Sequence, residues 1–181
     1  LRAFTAENDM LLIVDEVQTG NGRNGSLYAY MQYGITPDIV TTAKGLAGGL
    51  PLGACMLGEK VEGVFSYGDH GSTFGGNPVC CAAALSILSR IDEPLLNEVK
   101  KKGEYVKKTL AGASGIESVT GMGLMIGIKT VKPVAEVVEY CQKHGVLPLT
   151  AKDKLRLLPP LTVSPELLEK AVSVIAEGAK L

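Results

Sequence analysis

The 181-residue chain is 46% hydrophobic and 5% aromatic, has no tryptophan, and balances 18 basic against 19 acidic residues for a net charge of −1. With no basic run longer than Lys100-Lys101-Lys102, that balance excludes a nucleic-acid-binding protein, and no apolar run approaches the ~20 residues of a membrane span. An aliphatic globular protein remains, with one good core or two small ones, and its 22 glycines predict many tight turns.

In chain order, Met10–Val14 is a continuous apolar run and predicts a strand buried on both faces of a parallel sheet. Gly20–Gly25 is rich in turn residues, and Leu27–Tyr33 predicts a helix that ends at Gly34. Pro37–Thr42 and Leu52–Leu57 predict a second and a third strand. After the Gly71–Pro78 loop, Val79–Arg90 is small and apolar and predicts a buried helix packed through Ala82, Ala83 and Ala84.

Pro94–Leu110 predicts an amphipathic helix whose lysines, Lys100–Lys102 among them, face solvent. Composition changes near residue 90, so a boundary is expected between a domain of residues 1–90 and one of residues 91–181. In the second, Ile116–Ile128 predicts strand, turn at Gly121–Gly123, strand. A helix follows over Pro133–His144 with Gly145 as its stop, then strands at Val146–Pro148 and Leu155–Leu158. Ser164 as cap and Pro165 in the first turn open the last helix. This half reads as α+β, without internal repeats.

Cys55, Cys80, Cys81 and Cys141 form no C-x-x-C pair. They read as small buried thiols in a reducing compartment, and with no signal-peptide pattern a cytoplasmic location is expected. His70 and His144, the only histidines, have no metal-spaced partner, so no metal is expected. The chain opens at Leu1 and soon reaches a strand that looks like a middle strand lacking neighbours, so a piece of a longer enzyme is expected.

Three stretches carry chemistry. Asp15 ends the first apolar run and is followed by Glu16-Val17-Gln18. Such a carboxylate either caps the turn after its strand or holds a protonated ring nitrogen. Lys44 sits at the equivalent end of the next predicted strand, in Ala43-Lys44-Gly45-Leu46-Ala47-Gly48-Gly49. It is either a solvated loop lysine or, with its pKa depressed by apolar surroundings, an amine able to form an imine. Ligands of open α/β sheets gather at the carboxyl ends of strands, where these two converge. Gly71-Ser72-Thr73-Phe74-Gly75-Gly76-Asn77-Pro78 is either an ordinary turn or a loop whose hydroxyls bind phosphate.

Taken together and in this order, Asp15-Glu16-Val17-Gln18, Ala43-Lys44-Gly45 and His70–Pro78 resemble the class III (ω-amino) aminotransferases, pyridoxal 5'-phosphate (PLP) enzymes of fold type I. Within them, Lys44–Ala54 and Ser72-Thr73-Phe74 resemble the acetylornithine branch. The resemblance implies an α/β fold: residues 1–90 form the last part of the PLP-binding large domain with its parallel-rich sheet, and residues 91–181 an α+β small domain. It implies a homodimer with sites at its interface, and transamination between N-acetylornithine and 2-oxoglutarate in arginine biosynthesis. The chain is expected to be a fragment of that enzyme, inactive alone; the alternatives are another ω-aminotransferase acting on ornithine, 4-aminobutyrate or succinylornithine, or a non-catalytic fragment.

By the same resemblance, Lys44 is the imine-forming lysine and moves the proton at the substrate carbon. Asp15, Glu16, Val17 and Gln18 form a cofactor-binding segment: Asp15 pairs with the ring nitrogen, Val17 packs on a ring face and Gln18 lies near the phenolic oxygen. Thr73 binds the phosphate of the partner's PLP, and Ser72 lines the partner's substrate pocket. Arg156, in Leu155-Arg156-Leu157-Leu158-Pro159-Pro160, clamps a substrate carboxylate or else is an ordinary strand arginine. The family's Gly-Ser/Thr phosphate loop, stacking aromatic and further arginine belong to a preceding half with no counterpart here. Asn21 and Asn24 stand where the family pattern has other residues, at no catalytic position.

Overall fold

In the computed structural model, which describes residues 1–181, the chain packs as two units: residues 1–22 with 26–92, and residues 23–25 with 93–181. The first begins with α1 (Arg2–Glu7), and Arg2 pairs at 2.9 Å with Asp38. Asp38 also accepts the Leu12 N–H at 2.7 Å, which fixes where the chain enters β1 (Ile13–Asp15). β1 runs parallel to β2 (Ile39–Thr42), and β2 runs antiparallel to β3 (Ala54–Leu57).

The strands expected over Met10–Val14, Pro37–Thr42 and Leu52–Leu57 therefore exist in shortened form. Burial of the first on both faces is not found. β1 is an edge strand hydrogen-bonded only to β2, and Ile13 is 60% exposed. Leu27–Tyr33 shortens to a single 3-10 helix over Ala29–Tyr33, stopped at Gly34 by a left-handed φ of 60°.

The helix expected at Val79–Arg90 is α2 (Pro78–Leu88), with Asn77 Oδ1 accepting the N–H groups of Val79 and Cys80 at 3.0 and 3.2 Å. It is not buried throughout. Only Cys80 and Ala84, four residues apart on one stripe, are buried, while Val79 and Leu85 are 66% and 70% exposed. Ala84 packs on Leu46 and Ala47, so α2 buttresses the turn that carries Lys44. Of the cysteines read as buried, Cys55 is exposed on β3 and Cys81 is half-covered.

The second unit contains α3 (Glu93–Leu110), β4 (Ile116–Met122), β5 (Met125–Thr130), α4 (Val134–Lys143), β6 (Leu149–Ala151), β7 (Lys154–Leu157) and α5 (Pro165–Lys180). Its antiparallel sheet runs β4-β5-β7-β6. Alternate residues Ile126, Ile128, Leu155 and Leu157 point to one face and meet Val106, Leu110, Val137 and Ile175 of the helices. Their neighbours, including Arg156, lie on the other face.

α3 buries Val99, Val106 and Leu110 and exposes Lys100 and Lys101, as its periodicity predicts, but Lys102 is half-buried and donates to the Leu161 carbonyl at 3.2 Å. The strand expected at Val146–Pro148 instead begins at Leu149, because Pro148 has no N–H for the ladder. Ser164 caps α5, accepting the Leu167 N–H at 3.3 Å. No helix is long and apolar enough to cross a membrane.

Candidate active site

Parallel pairing decides the geometry of the first unit. Asp15 lies opposite Thr41, and Lys44 begins the short 3-10 helix Lys44–Ala47 just beyond β2. Two adjacent parallel strands bring their carboxyl ends to one edge, so the loops after Asp15 and after Thr42 rise together. The Glu16 N–H donates to the Thr41 carbonyl at 2.8 Å and extends this alignment one residue past β1.

Asp15 is exposed, and its Oδ1 accepts the Val17 N–H at 2.9 Å. That contact folds the chain into a tight turn and fixes the carboxylate's direction, with the second oxygen available to a ligand. Capping the turn and presenting a carboxylate are thus one arrangement here. Val17 is half-buried and Gln18 exposed on the same turn.

Glu16 points the opposite way. Its side chain is fully buried, with Oε2 accepting the Thr19 hydroxyl and Oε1 the Tyr30 N–H at 2.9 Å. Both oxygens are engaged inside the protein, so Glu16 acts as a strut of the loop that carries Asp15. The Tyr30 ring lies 5.9 Å from that of Tyr28 and parallel to it. Burial, then Tyr28 and the Glu16 charge, push the Tyr30 phenol pKa up.

Lys44 is exposed, not enclosed by its alanine and leucine neighbours. Its φ is +50°, and the turn ends in Gly48 at a φ of +62°. Leu46 and Ala47 turn inward to α2 and send Lys44 outward. Asn21, which the sequence marks only as a departure from a pattern, reaches this turn: its Nδ2 donates to the Ala43 carbonyl at 3.0 Å and to Thr42 Oγ1 at 3.4 Å.

Ser72 and Thr73 lie in an exposed loop. The Ser72 carbonyl accepts the Gly75 N–H at 3.2 Å, which makes the loop a turn. No hydrogen bond joins this loop to Asp15 or Lys44.

In the second unit, Arg156 sits between Gly127 of β5 and Leu149 of β6, on the sheet face away from the core. There it borders a cavity of about 340 Å3 with Asn24, Thr120, Met122, Met125 and Lys154. A Cβ at Gly127 would stand 3.3 Å from the Lys154 side chain and 3.4 Å from Thr120 Oγ1, so this side of the cavity is closely lined. Arg23 donates to the carbonyls of Leu124 and Pro159 and so braces the segment that follows β7. Desolvation lowers its pKa, and both contacts are to carbonyls, as suits a half-buried structural guanidinium. No sequence signal distinguished Arg23 from a loop cation, because its acceptors lie far along the chain.

The donor set around β1 and β2 fits PLP: a turn-fixed carboxylate for a ring nitrogen and an outward primary amine at the same sheet edge. The model of the aminotransferase class-III family matches residues 1–178. Acetylornithine aminotransferase from Haemophilus ducreyi is 53% identical over 171 residues, which are 93% of this chain and 44% of that protein. A structure of Toxoplasma gondii ornithine aminotransferase, with PLP at partial occupancy in its active site, superposes with a TM-score of 0.89 at 31% identity, covering 98% of this chain and 45% of that one. Acetylornithine aminotransferase from Elizabethkingia anophelis superposes with a TM-score of 0.88 at 31% identity, covering 97% and 49%. The chain therefore spans about half the length of the relatives it matches.

Proposed function

The chain belongs to the class-III aminotransferases, and from that premise we propose that it carries the lysine and the ring-nitrogen carboxylate of a PLP-dependent transamination between N-acetylornithine and 2-oxoglutarate. The observation that carries the proposal is the placing of Asp15 opposite Thr41 with Lys44 just beyond β2, which sets carboxylate and amine at one sheet edge. The 53% identity to an acetylornithine aminotransferase supports the choice of donor. The likeness to ornithine aminotransferase structures favours ornithine as the second reading.

PLP, when bound, supplies an aldehyde that takes up an amine and a ring that withdraws an electron pair. Asp15 holds a proton on the ring nitrogen through the oxygen not engaged by Val17. Lys44 Nζ holds the cofactor at rest and, when displaced, takes and returns the proton at the amine-bearing carbon of the substrate. Val17 and Gln18 flank the ring, and Glu16 serves them from inside by fixing their turn. Arg156 binds a substrate carboxylate as a planar fork. Thr73 and Ser72 serve the site of a second copy, Thr73 at the phosphate and Ser72 at the substrate, which makes the working form a homodimer.

Borohydride reduction of the PLP-loaded protein expressed from the native gene, followed by peptide mass spectrometry, tests the assignment. The adduct is expected on Lys44, and Lys44→Ala is expected to lose it together with at least ~10²-fold in turnover. An adduct on another lysine would refute the reading. Mixed dimers of Lys44→Ala and Thr73→Ala chains should regain activity that neither variant has alone, and no recovery would place the whole site within one chain. Comparing kcat/KM for N-acetylornithine and for ornithine decides between the two donors.

A further inference from the structure

A φ of +50° is unusual for a lysine. An L-residue with a Cβ gives up about 1 kcal/mol in this region, and such a conformation persists only where its surroundings fix it. The turn that Lys44 begins has no side-chain hydrogen bond at its own capping position. The fixing group comes instead from the Asp15 loop. Asn21 is 8% exposed and its Nδ2 donates at 3.0 Å to the carbonyl of Ala43.

That carbonyl belongs to the peptide joining Ala43 to Lys44, whose rotation sets the φ of Lys44. The amide's orientation follows from chemistry, since only its NH2 can face a carbonyl acceptor. Its second contact, to Thr42 Oγ1 at 3.4 Å, holds the amide at the end of β2. Asn21 also has a positive φ, +55°, a conformation that asparagine tolerates better than most residues. Asn21 also packs closely under the turn, since a Cβ placed on Gly45 would lie 3.6 Å from the Cβ of Asn21, at ordinary contact distance.

We propose that Asn21 is a positioning residue for the Lys44 amine, its side-chain amide locking the Ala43–Lys44 peptide so that Lys44 keeps its left-handed backbone and a fixed direction beside Asp15. The inference rests on the reading of Lys44 as the cofactor-binding lysine and adds what holds that lysine in place. It also links the two loops directly, because the loop that begins at Asp15 supplies the donor that sets Lys44.

The test uses the PLP-loaded protein expressed from the native gene, with Asn21→Gly and Asn21→Asp. Glycine adopts the positive φ without strain and removes only the amide, whereas aspartate keeps the shape but can only accept. Four quantities are read: the thermal midpoint, the pH midpoint of the visible band of lysine-bound cofactor, the split of kcat against KM, and the acetylation rate of Lys44 in the cofactor-free protein.

Both variants should shift the band's pH midpoint by about half a unit or more. They should also lower kcat by about ten-fold with KM nearly constant and change the Lys44 acetylation rate. Asn21→Gly should do so with little change in thermal midpoint, and it decides the matter if Asn21→Asp fails to fold. A borohydride adduct on Lys44, with band midpoint and acetylation rate unchanged in the glycine variant, would overturn the role of Asn21 alone. An adduct on another lysine in the unaltered protein would overturn the Lys44 reading and this inference with it.

Discussion

Asp15 faces Thr41 across the parallel β1–β2 ladder, and the chain leaving β2 turns at once into Lys44. Had β2 run antiparallel to β1, the loop carrying Lys44 would emerge at the opposite end of the sheet, out of reach of the carboxylate. Two hydrogen bonds hold the paired loops: the Glu16 N–H to the Thr41 carbonyl at 2.8 Å and the Asn21 amide to the Ala43 carbonyl at 3.0 Å. The carboxylate and the amine are therefore set by one local framework within the first unit.

Glu16 is the strut of that framework. Its replacement by alanine removes the acceptors of the Thr19 hydroxyl and the Tyr30 N–H and leaves a cavity at a fully buried position. Each buried donor left unpaired costs about 1–3 kcal/mol, so Glu16→Ala should lose about 2–4 kcal/mol in denaturant unfolding. Glu16→Gln keeps one acceptor oxygen and should lose less. A loss below about 0.5 kcal/mol for the alanine variant would show that the two contacts bear no load.

Gly103 tests the packing of the second unit. In the middle of α3, an exchange of glycine for alanine would ordinarily stabilise by about 1 kcal/mol. Here an added Cβ would stand 2.2 Å from the Gly123 carbonyl oxygen and 2.7 Å from its carbon, both backbone atoms that cannot swing aside. Gly103→Ala should therefore destabilise, by about 1–3 kcal/mol. A rise in the thermal midpoint would mean that α3 and the Gly123 turn stand farther apart in solution.

Asp38 gives the first unit a pH dependence of known sign. The Leu12 N–H, and after it the Arg2 guanidinium, hold its carboxyl pKa below the ordinary carboxylate value. A pKa lowered by folding contributes stability that is complete above the unfolded value, about 3.9, and lost as pH falls through the folded one. Asp38→Asn should be less stable than the unaltered chain at neutral pH and should lose less on acidification below about pH 4. Equal slopes of unfolding free energy against pH in the two proteins would refute the linkage.

What the sequence by itself determined is local in origin. Asn77-Pro78 and Ser164-Pro165 open helices because their oxygens cap N–H groups only two or three residues ahead. Gly34 and Gly145 stop elements because they accept a positive φ. The apolar runs that end at Asp15 and just before Lys44 mark strand ends, and with them the two residues of the proposed site. Tertiary structure alone decided the rest. Whether β3 runs parallel or antiparallel to β2, that Ile13 lies on an edge, that Glu16 turns inward, and that Asn21 finds Ala43 all depend on partners distant along the chain. An apolar run records that a strand will form but not which faces will be covered. The reach of the Asn21 amide to Ala43 exists only once β1 and β2 lie side by side, since that pairing brings a donor and an acceptor more than twenty residues apart within 3.0 Å.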